Sequence, residues 1–425
     1  PLLLSVRSGS SISQPGLMNT FLDVGINKDI VEGLIRLTGN PWFAWDTYRR
    51  FLQSYGMAFG IERDFFDAII SDFKDRLGLP LKREFTGEQM KDVALAYETL
   101  IQDHGIELEL EPFRQLMIGV SKVFDSWNAP KAVTYRRIMG ISDDWGTAVT
   151  VQAMVFGNFS EQSGSGVFFT HNPRWSGNTL ILWGDYTLGN QGEDVVSGLV
   201  KTRPISAKQA ETENRDPEGS LELRFPEIYK NLREWAKELI YERRWSPQEM
   251  EFTFEGPSAE DLYFLQTRDM VMRERKKVYS FDLVQEDKVE FLGHGIGVSG
   301  GAMTGRAIFS LEEIRYWREK EPGTSLILIR GDTVPDDIKE IYEADGLLTA
   351  RGGSTSHAAI VAHRLGKTCV VGCANLICME KDRSCSLNGR VVNSGDWISI
   401  DGNEGSVYFG VMKIKEMERD ENGGF

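Results

Sequence analysis

The sequence predicts a multidomain protein of mixed α/β and α+β class. Three observations lead there. At 425 residues the chain is long for one core and points to two or three domains. A stretch of helical periodicity, about 28–125, has strand signals on both sides. Residues 345–371 read as strand, glycine turn, helix and strand, a sheet crossed by a helix.

Taken in order, residues 1–27 give a strand, PLLLSVRSG, and a Ser- and Gly-rich loop. The chain opens without Met and in mid-strand, which predicts sequence upstream of Pro1. Arg7 stands where the strand gives way to the loop. A planar guanidinium suits phosphate oxygens, though an Arg after a strand is more often only solvated. In 28–125, WDTYRRFLQSYG, DFFDAIISDFKDRLG and GEQMKDVALAYETLIQDHG space apolar residues by three and four, with Gly56, Gly78 and Gly105 as punctuation. This reads as a helical insert whose aromatic stripes are core. TAVTVQAMVFG then reads as a buried strand and SGSGVFFTHNP as a glycine-rich turn into another.

EMEFTFE and DLYFLQTRD form a hairpin joined by GPSAE. Glu249, Glu251 and Thr253 share one face of the first strand, with Met250, Phe252 and Phe254 on the other; Gln266 and Arg268 share a face of the second. Two carboxylates two residues apart suit a hard cation, and they suit a solvated edge hairpin equally well. The charged stretch 271–290 reads as a linker and 411–425 as a tail or further linker.

Residues 291–410 form a last domain. DGLLTA is a short buried strand, and AAIVAHRL a helix with Gly366 as its C-cap. Ser354 or Thr355 is placed to cap its N-terminus. His357 lies in the first turn, where free N–H groups and the helix dipole favour an anion. A neutral imidazole there can attack a phosphoryl group, and the helix end can hold the oxygens of the N-phosphate. Asp401-Gly402 and Gly405 suggest a hairpin.

Composition narrows the partners. A net charge of -15 argues against nucleic acid or an anionic membrane. No uncharged apolar run reaches membrane-span length and no signal-peptide pattern is present, so a cytoplasmic location is expected. The four cysteines, Cys369, Cys373, Cys378 and Cys385, lack a histidine at zinc spacing and read as reduced core thiols.

The segment GGSTSHAAIVAHRLGKTCVVGC resembles the phosphohistidine loop of the phosphoenolpyruvate-utilising enzymes, the family of pyruvate, phosphate dikinase, phosphoenolpyruvate synthase and enzyme I of the sugar phosphotransferase system. VRSG followed by S-x-PG-x-M-x-T, NQGEDVVSG, the hairpin's x-E-F…L-Q-x-R and GHGIGVSGGAMTGRAIF resemble further segments of the dikinase, as do Asp332-Thr333-x-Pro335 and Asp337. This resemblance implies an ATP-grasp domain over 1–270 with the helical insert, then a swivelling β/β/α phosphohistidine domain over 291–410. ATP and Mg²⁺ are the implied cofactors.

Residue by residue, His357 matches the phosphate carrier and Thr355 the regulated threonine of some dikinases. Arg7 matches a phosphate contact in a loop, Ser10 to Thr20, that covers the nucleotide. Gln152 to Val155 match the adenine-side hinge. Asp185 and Glu193 match residues facing the nucleotide, and Gln266 and Arg268 match nucleotide contacts beside the metal ligands Glu249 and Glu251. Three positions depart from the family pattern: Asp185 and Glu249 stand where it has Glu and Asp, and His171 where it has Arg. The implied reaction has His357 attack the β-phosphorus of Mg-ATP, releasing AMP and leaving pyrophospho-His357. The terminal phosphoryl passes to inorganic phosphate in a dikinase or to water in a synthase. The remaining phosphate then travels to pyruvate, giving phosphoenolpyruvate, at a barrel through which a homodimer would form.

Neither a lysine-bearing glycine-rich segment nor such a barrel is found in the sequence. The expectation is a fragment of a dikinase-like phosphotransferase. A phosphoenolpyruvate synthase-like enzyme with water as phosphate acceptor, a split or non-catalytic nucleotide-binding partner, and an antibiotic-phosphorylating relative are the alternatives.

Overall fold

The computed structural model describes residues 1–9, 17–173, 180–196, 200, 202–270, 277–282, 290–333, 337–354 and 356–418. Contacts divide the chain into two units, Pro1–Met154 and Val155–Phe425.

The first unit is built on a three-stranded antiparallel sheet. Strand β1 (Leu4–Gly9) is central, between β2 (Thr20–Val24) and β3 (Ala148–Ala153). Six helices intervene: α1 (Lys28–Thr38), α2 (Pro41–Ala58), α3 (Arg63–Leu77), α4 (Gly87–Asp103), α5 (Pro112–Ser126) and α6 (Pro130–Met139). Their limits follow cap chemistry. Asn27 and Asn40 accept the N–H groups of Ile30 and Phe43, and Thr86 with Gln89 makes a capping box. Gly78 ends α3 in the left-handed conformation.

Gly56, by contrast, does not punctuate: it is buried inside α2, where a Cβ would stand 2.7 Å from Phe66 Cζ. The aromatic stripe of α2 is core, with Phe43, Tyr48, Phe51 and Tyr55 almost fully buried. Asp46 on the same helix is buried with Arg49, Arg50 and Lys82 at 2.7–3.0 Å. Burial alone would raise its pKa; the three cations overcome that and hold it well below the usual carboxylate range. The buried strand expected at 147–157 is also corrected. It ends at Ala153 and forms the outer strand of its sheet, so Val151 is 45 % exposed.

The second unit begins with a five-stranded antiparallel sheet in the order β6-β5-β4-β7-β8. Its strands are β4 (Gly164–Phe169), β5 (Trp183–Leu188), β6 (Arg203–Pro204), β7 (Gln248–Phe254) and β8 (Leu262–Asp269); α7 (Gly192–Val196), α8 (Ala207–Thr212), α9 (Leu221–Arg224) and α10 (Pro226–Lys237) lie between them in sequence. One face packs Phe168, Tyr186, Met250, Phe252 and Phe254 against Ile228, Leu232 and Ala236 of α10. Gly164 and Gly166, expected in a turn, lie inside β4. The rings of Phe254 and Phe252 occupy the space their Cβ atoms would need, at 2.7 and 2.6 Å.

Beyond β9 (Lys277–Phe281) come β10 (Glu290–His294), β11 (Ile296–Ser299), β12 (Ala302–Ile308), α11 (Leu311–Lys320), β13 (Leu326–Arg330), α12 (Ile338–Glu343), β14 (Gly346–Thr349), α13 (His357–Leu365) and β15 (Thr368–Val371). The hairpin strands β16 (Leu376–Met379), β17 (Ser384–Leu387) and β18 (Arg390–Asn393), then β19 (Trp397–Asp401), β20 (Ser406–Phe409) and β21 (Ile414–Glu418), complete the described chain. An eight-stranded mixed sheet runs β10-β20-β19-β12-β13-β14-β15-β11, with β12 to β15 parallel. Strands β9 and β21 pair antiparallel, so stretches the sequence presents as linker and tail meet in a two-stranded ribbon. All four cysteines are free thiols, and Cys369, Cys373 and Cys385 are buried. Helix α11 has no counterpart in the sequence reading. Its Ser310-x-x-Glu313 cap was the available signal.

Candidate functional site

The five-stranded sheet of the second unit presents a polar face opposite its core face. Across it, Asp185 pairs with Val167, Val167 with Glu251 and Glu251 with Gln266; two residues along, Phe169 pairs with Glu249 and Glu249 with Arg268. Register partners share a face, so Asp185, Glu249, Glu251, Gln266 and Arg268 all project the same way. Arg268 Nη2 lies 2.5 Å from Glu249 Oε1 and 3.7 Å from Glu251 Oε1. Glu249 is only 6 % exposed, which separates this cluster from a solvated edge hairpin. Ser165 and Thr253 share a hydroxyl hydrogen bond of 2.8 Å further along the face.

Two hard carboxylates on one strand face fit Mg²⁺, which takes a few protein oxygens and completes its shell with water and phosphate. Glu249 and Glu251 are the residues that would hold it, with Arg268 as a neighbouring fixed positive charge. Among the described residues no group of three or more His, Cys, Asp or Glu stands ready as a cage.

Asp185 is fully buried and accepts four hydrogen bonds. Oδ1 takes Arg215 Nη1 at 2.8 Å and the Thr202 hydroxyl at 3.1 Å. Oδ2 takes the backbone N–H of Ser354 at 2.9 Å and its hydroxyl at 2.7 Å. Ser354 belongs to the turn that leads into α13. Gly353 makes the approach possible, since a Cβ there would meet Asp185 Oδ2 at 2.6 Å. With its hydroxyl engaged, Ser354 does not cap α13. Ser356 does, its Oγ accepting the N–H of Ala359 at 3.4 Å. Thr355, the other expected cap, lies outside the described residues. His357 opens the nine-residue α13, whose next residues, Ala358 to Ala362, are buried, and which Gly366 closes at φ 69°.

The remaining sequence-predicted residues are distributed as follows. Arg7 and Gln152 lie on β1 and β3 of the first unit, and Arg7 Nη2 donates to Gln152 Oε1 at 2.5 Å. Val155 is the first residue of the second unit, past the end of β3. Glu193 lies in α7. Asp332 Oδ1 accepts the N–H of Thr333 at 2.8 Å, and Asp337 Oδ1 is 3.8 Å from Arg330 Nε. Pro335 and most of the loop between β1 and β2 lie outside the described residues. His171 is buried beside the Thr170 hydroxyl at 2.9 Å, and burial lowers its pKa. Sequence reasoning missed Arg215 and Thr202, which stand in no motif. It read Gly353 only as part of a turn.

Comparison with known proteins then places these segments. The family model for the pyruvate phosphate dikinase AMP/ATP-binding domain matches residues 1–218, and that for the mobile domain of phosphoenolpyruvate-utilising enzymes matches residues 323–405. The chain belongs to the pyruvate, phosphate dikinase family. Similar relatives include the pyruvate, phosphate dikinase of Clostridium symbiosum, 37% identical over 98% of this chain and 49% of its own length. That of Rhizobium meliloti is 35% identical over 98% and 49%. The chloroplastic enzyme of Flaveria trinervia is 37% identical over 96% and 44%. The chain thus spans about half or less of these dikinases. The mixed architecture is that of the family, an ATP-grasp fold followed by a phosphohistidine domain. Among the described residues no helix is long and apolar enough to cross a membrane.

Proposed function

We propose that the chain is the nucleotide-binding and phosphate-carrying part of an ATP-dependent phosphotransferase of the dikinase type. The nucleotide-binding domain covers 1–270 and the carrier 291–410, joined through 271–290. Arg7, Gln152, Val155, Glu193, Gln266 and Arg268 serve the nucleotide, Glu249 and Glu251 a Mg²⁺ that neutralises phosphate charge. The observation that carries this reading is the pair Asp185–Ser354. It ties the turn before His357 to the same sheet face that bears Glu249, Glu251 and Arg268.

His357 Nε2 or Nδ1, in its neutral form, attacks the β-phosphorus. The bond to the α-phosphate oxygen breaks and AMP leaves, with pyrophospho-His357 formed. Arg7 and Arg268 stabilise the oxygens on which charge develops, and the N-terminal N–H groups of α13 hold those of the transferred group. The terminal phosphoryl passes to inorganic phosphate, and the carrier then delivers the remaining one to pyruvate at a site outside this chain. The dikinase names of the relatives favour phosphate over water as first acceptor. A cytoplasmic setting is part of this reading and rests on the bacterial relatives; the plant relatives are chloroplastic.

The test is labelling with ATP carrying radioactive β-phosphate and Mg²⁺, with wild type and His357→Ala, in this chain and in the full-length protein. Acid-labile, base-stable label on wild type and none on the variant is expected. Equal label on the variant, or none in either length of wild type, would overturn the assignment. Acceleration of γ-phosphate loss by inorganic phosphate would separate the dikinase from the synthase.

A further inference from the structure

Two cysteines face one another across the β16–β17 hairpin. Cys378 and Cys385 are direct partners in the antiparallel register, so their side chains leave the same face. That face turns into the domain core. Cys385 is buried with Leu376, Leu387 and Val392, and Cys378 packs at the edge of this cluster. Direct antiparallel partners hold their Cβ atoms about 4.5–5.5 Å apart, while a disulfide wants roughly 3.5–4.5 Å. Bridging therefore needs a small approach of the strands and no change of register. Cys369 stands opposite Leu347 and Ser299 in the large sheet; Cys373 shares the core cluster of Cys385 but is not its register partner, and its Sγ lies 3.7 Å from the carbonyl of His294.

We infer that Cys378 and Cys385 are an oxidation site that closes to an intradomain disulfide in the presence of a low-molecular-weight disulfide. The thiolate of Cys378, the more accessible of the two, attacks one sulfur of the oxidant R–S–S–R and releases RS⁻. The thiolate of Cys385 then attacks Cys378 Sγ in the mixed disulfide and releases the second RS⁻. Two protein thiols are oxidised, one oxidant is reduced to two thiols, and those thiols take up the two protons. Burial pushes both cysteines up to about 12, so thiolate is scarce at neutral pH and closure is slow.

The hairpin's position gives the bridge a consequence. Glu380, just past β16, accepts the N–H of Gly331 at 3.2 Å and stands 3.4 Å from Arg330 Nη1. Gly331 in turn accepts the N–H of Arg351 at 3.1 Å, at the base of the turn that carries Ser354. A bridged hairpin braces the strand end on which that turn rests.

The test is incubation of the native chain with oxidised glutathione over a series of glutathione ratios, read by intact mass and non-reducing peptide mapping. Cleavage after Lys and Arg places Cys378 in 368–381 and Cys385 in 384–390. The expected product has lost the mass of two hydrogens. It yields these two peptides as one linked species, with fragmentation placing the bridge at Cys378. Reduction separates them, and Cys378→Ser abolishes the link while Cys369→Ser keeps it. A bridge at Cys373, glutathione adducts alone, or no product from a native chain whose denatured form oxidises would each overturn the inference. The wild-type map needs no variant, so loss of folding in Cys378→Ser leaves the result readable.

Discussion

Asp185 Oδ2 accepts both the amide and the hydroxyl of Ser354, at 2.9 and 2.7 Å, across 169 residues of sequence. A carboxylate that is fully buried must be matched by donors, and half of the four it receives come from the turn before His357. The contact is therefore both a structural requirement of Asp185 and a grip on the turn before His357.

Ser354→Ala removes the hydroxyl donor and keeps the amide. A hydrogen bond to a charged group is worth about 1.5–3 kcal/mol, which is about ten- to a hundred-fold in an equilibrium. The rate of His357 labelling by radioactive ATP should fall by about that factor, measured by rapid quench. The unfolding free energy should fall by a similar amount, because the buried carboxylate loses one of its four donors while Arg215, Thr202 and the Ser354 amide keep the rest. An unchanged rate would remove the grip from the mechanism.

Glu251→Gln keeps the shape of the side chain and removes the charge that suits Mg²⁺. The Mg²⁺ concentration giving half-maximal labelling should rise by about ten-fold or more, the range seen when a metal's protein environment is disturbed. Val151→Thr, on the exposed strand β3, is the control and should leave it unchanged. If both variants titrate alike, the carboxylate face is not the metal site.

Gly56→Ala tests the core of the helical insert. The added methyl meets Phe66, Ile101 and Ile61 at 2.7, 3.2 and 3.3 Å. Overpacking of this kind costs about 1–3 kcal/mol. Chemical denaturation should show that loss, and Phe66→Leu should restore part of it by opening space. Full stability in the single variant would show that α2 and α3 can part without cost.

Local rules carried most of the fold. Apolar alternation located β7 and β8 and assigned Glu249, Glu251 and Thr253 to one face, because strand period is a property of the chain itself. The turn to α13 was legible as glycine plus hydroxyls, but its cap fell one or two residues later, on Ser356. That shift depends on Asp185, which lies far away in sequence and draws the Ser354 hydroxyl to itself. The same limit applies to Gly56, Gly164 and Gly166. A glycine required by a neighbouring ring looks identical, in sequence, to one required by a turn.

His171 gives a pH signature. Burial lowers its pKa below the 6.5 of an unperturbed imidazole. The unfolded chain then takes up a proton at a higher pH than the native one does. Stability from the neutral ring is complete above about 6.5 and is lost as pH falls from there through the lower native value. His171→Asn keeps a polar group beside the Thr170 hydroxyl and removes the titration. The midpoint of thermal unfolding, compared between wild type and variant, should differ by a constant amount above neutral pH. Below about 6.5 wild type should lose ground steadily to the variant. Parallel curves down to pH 5 would mean that His171 titrates normally, and that its burial beside Thr170 imposes no cost on the protonated ring.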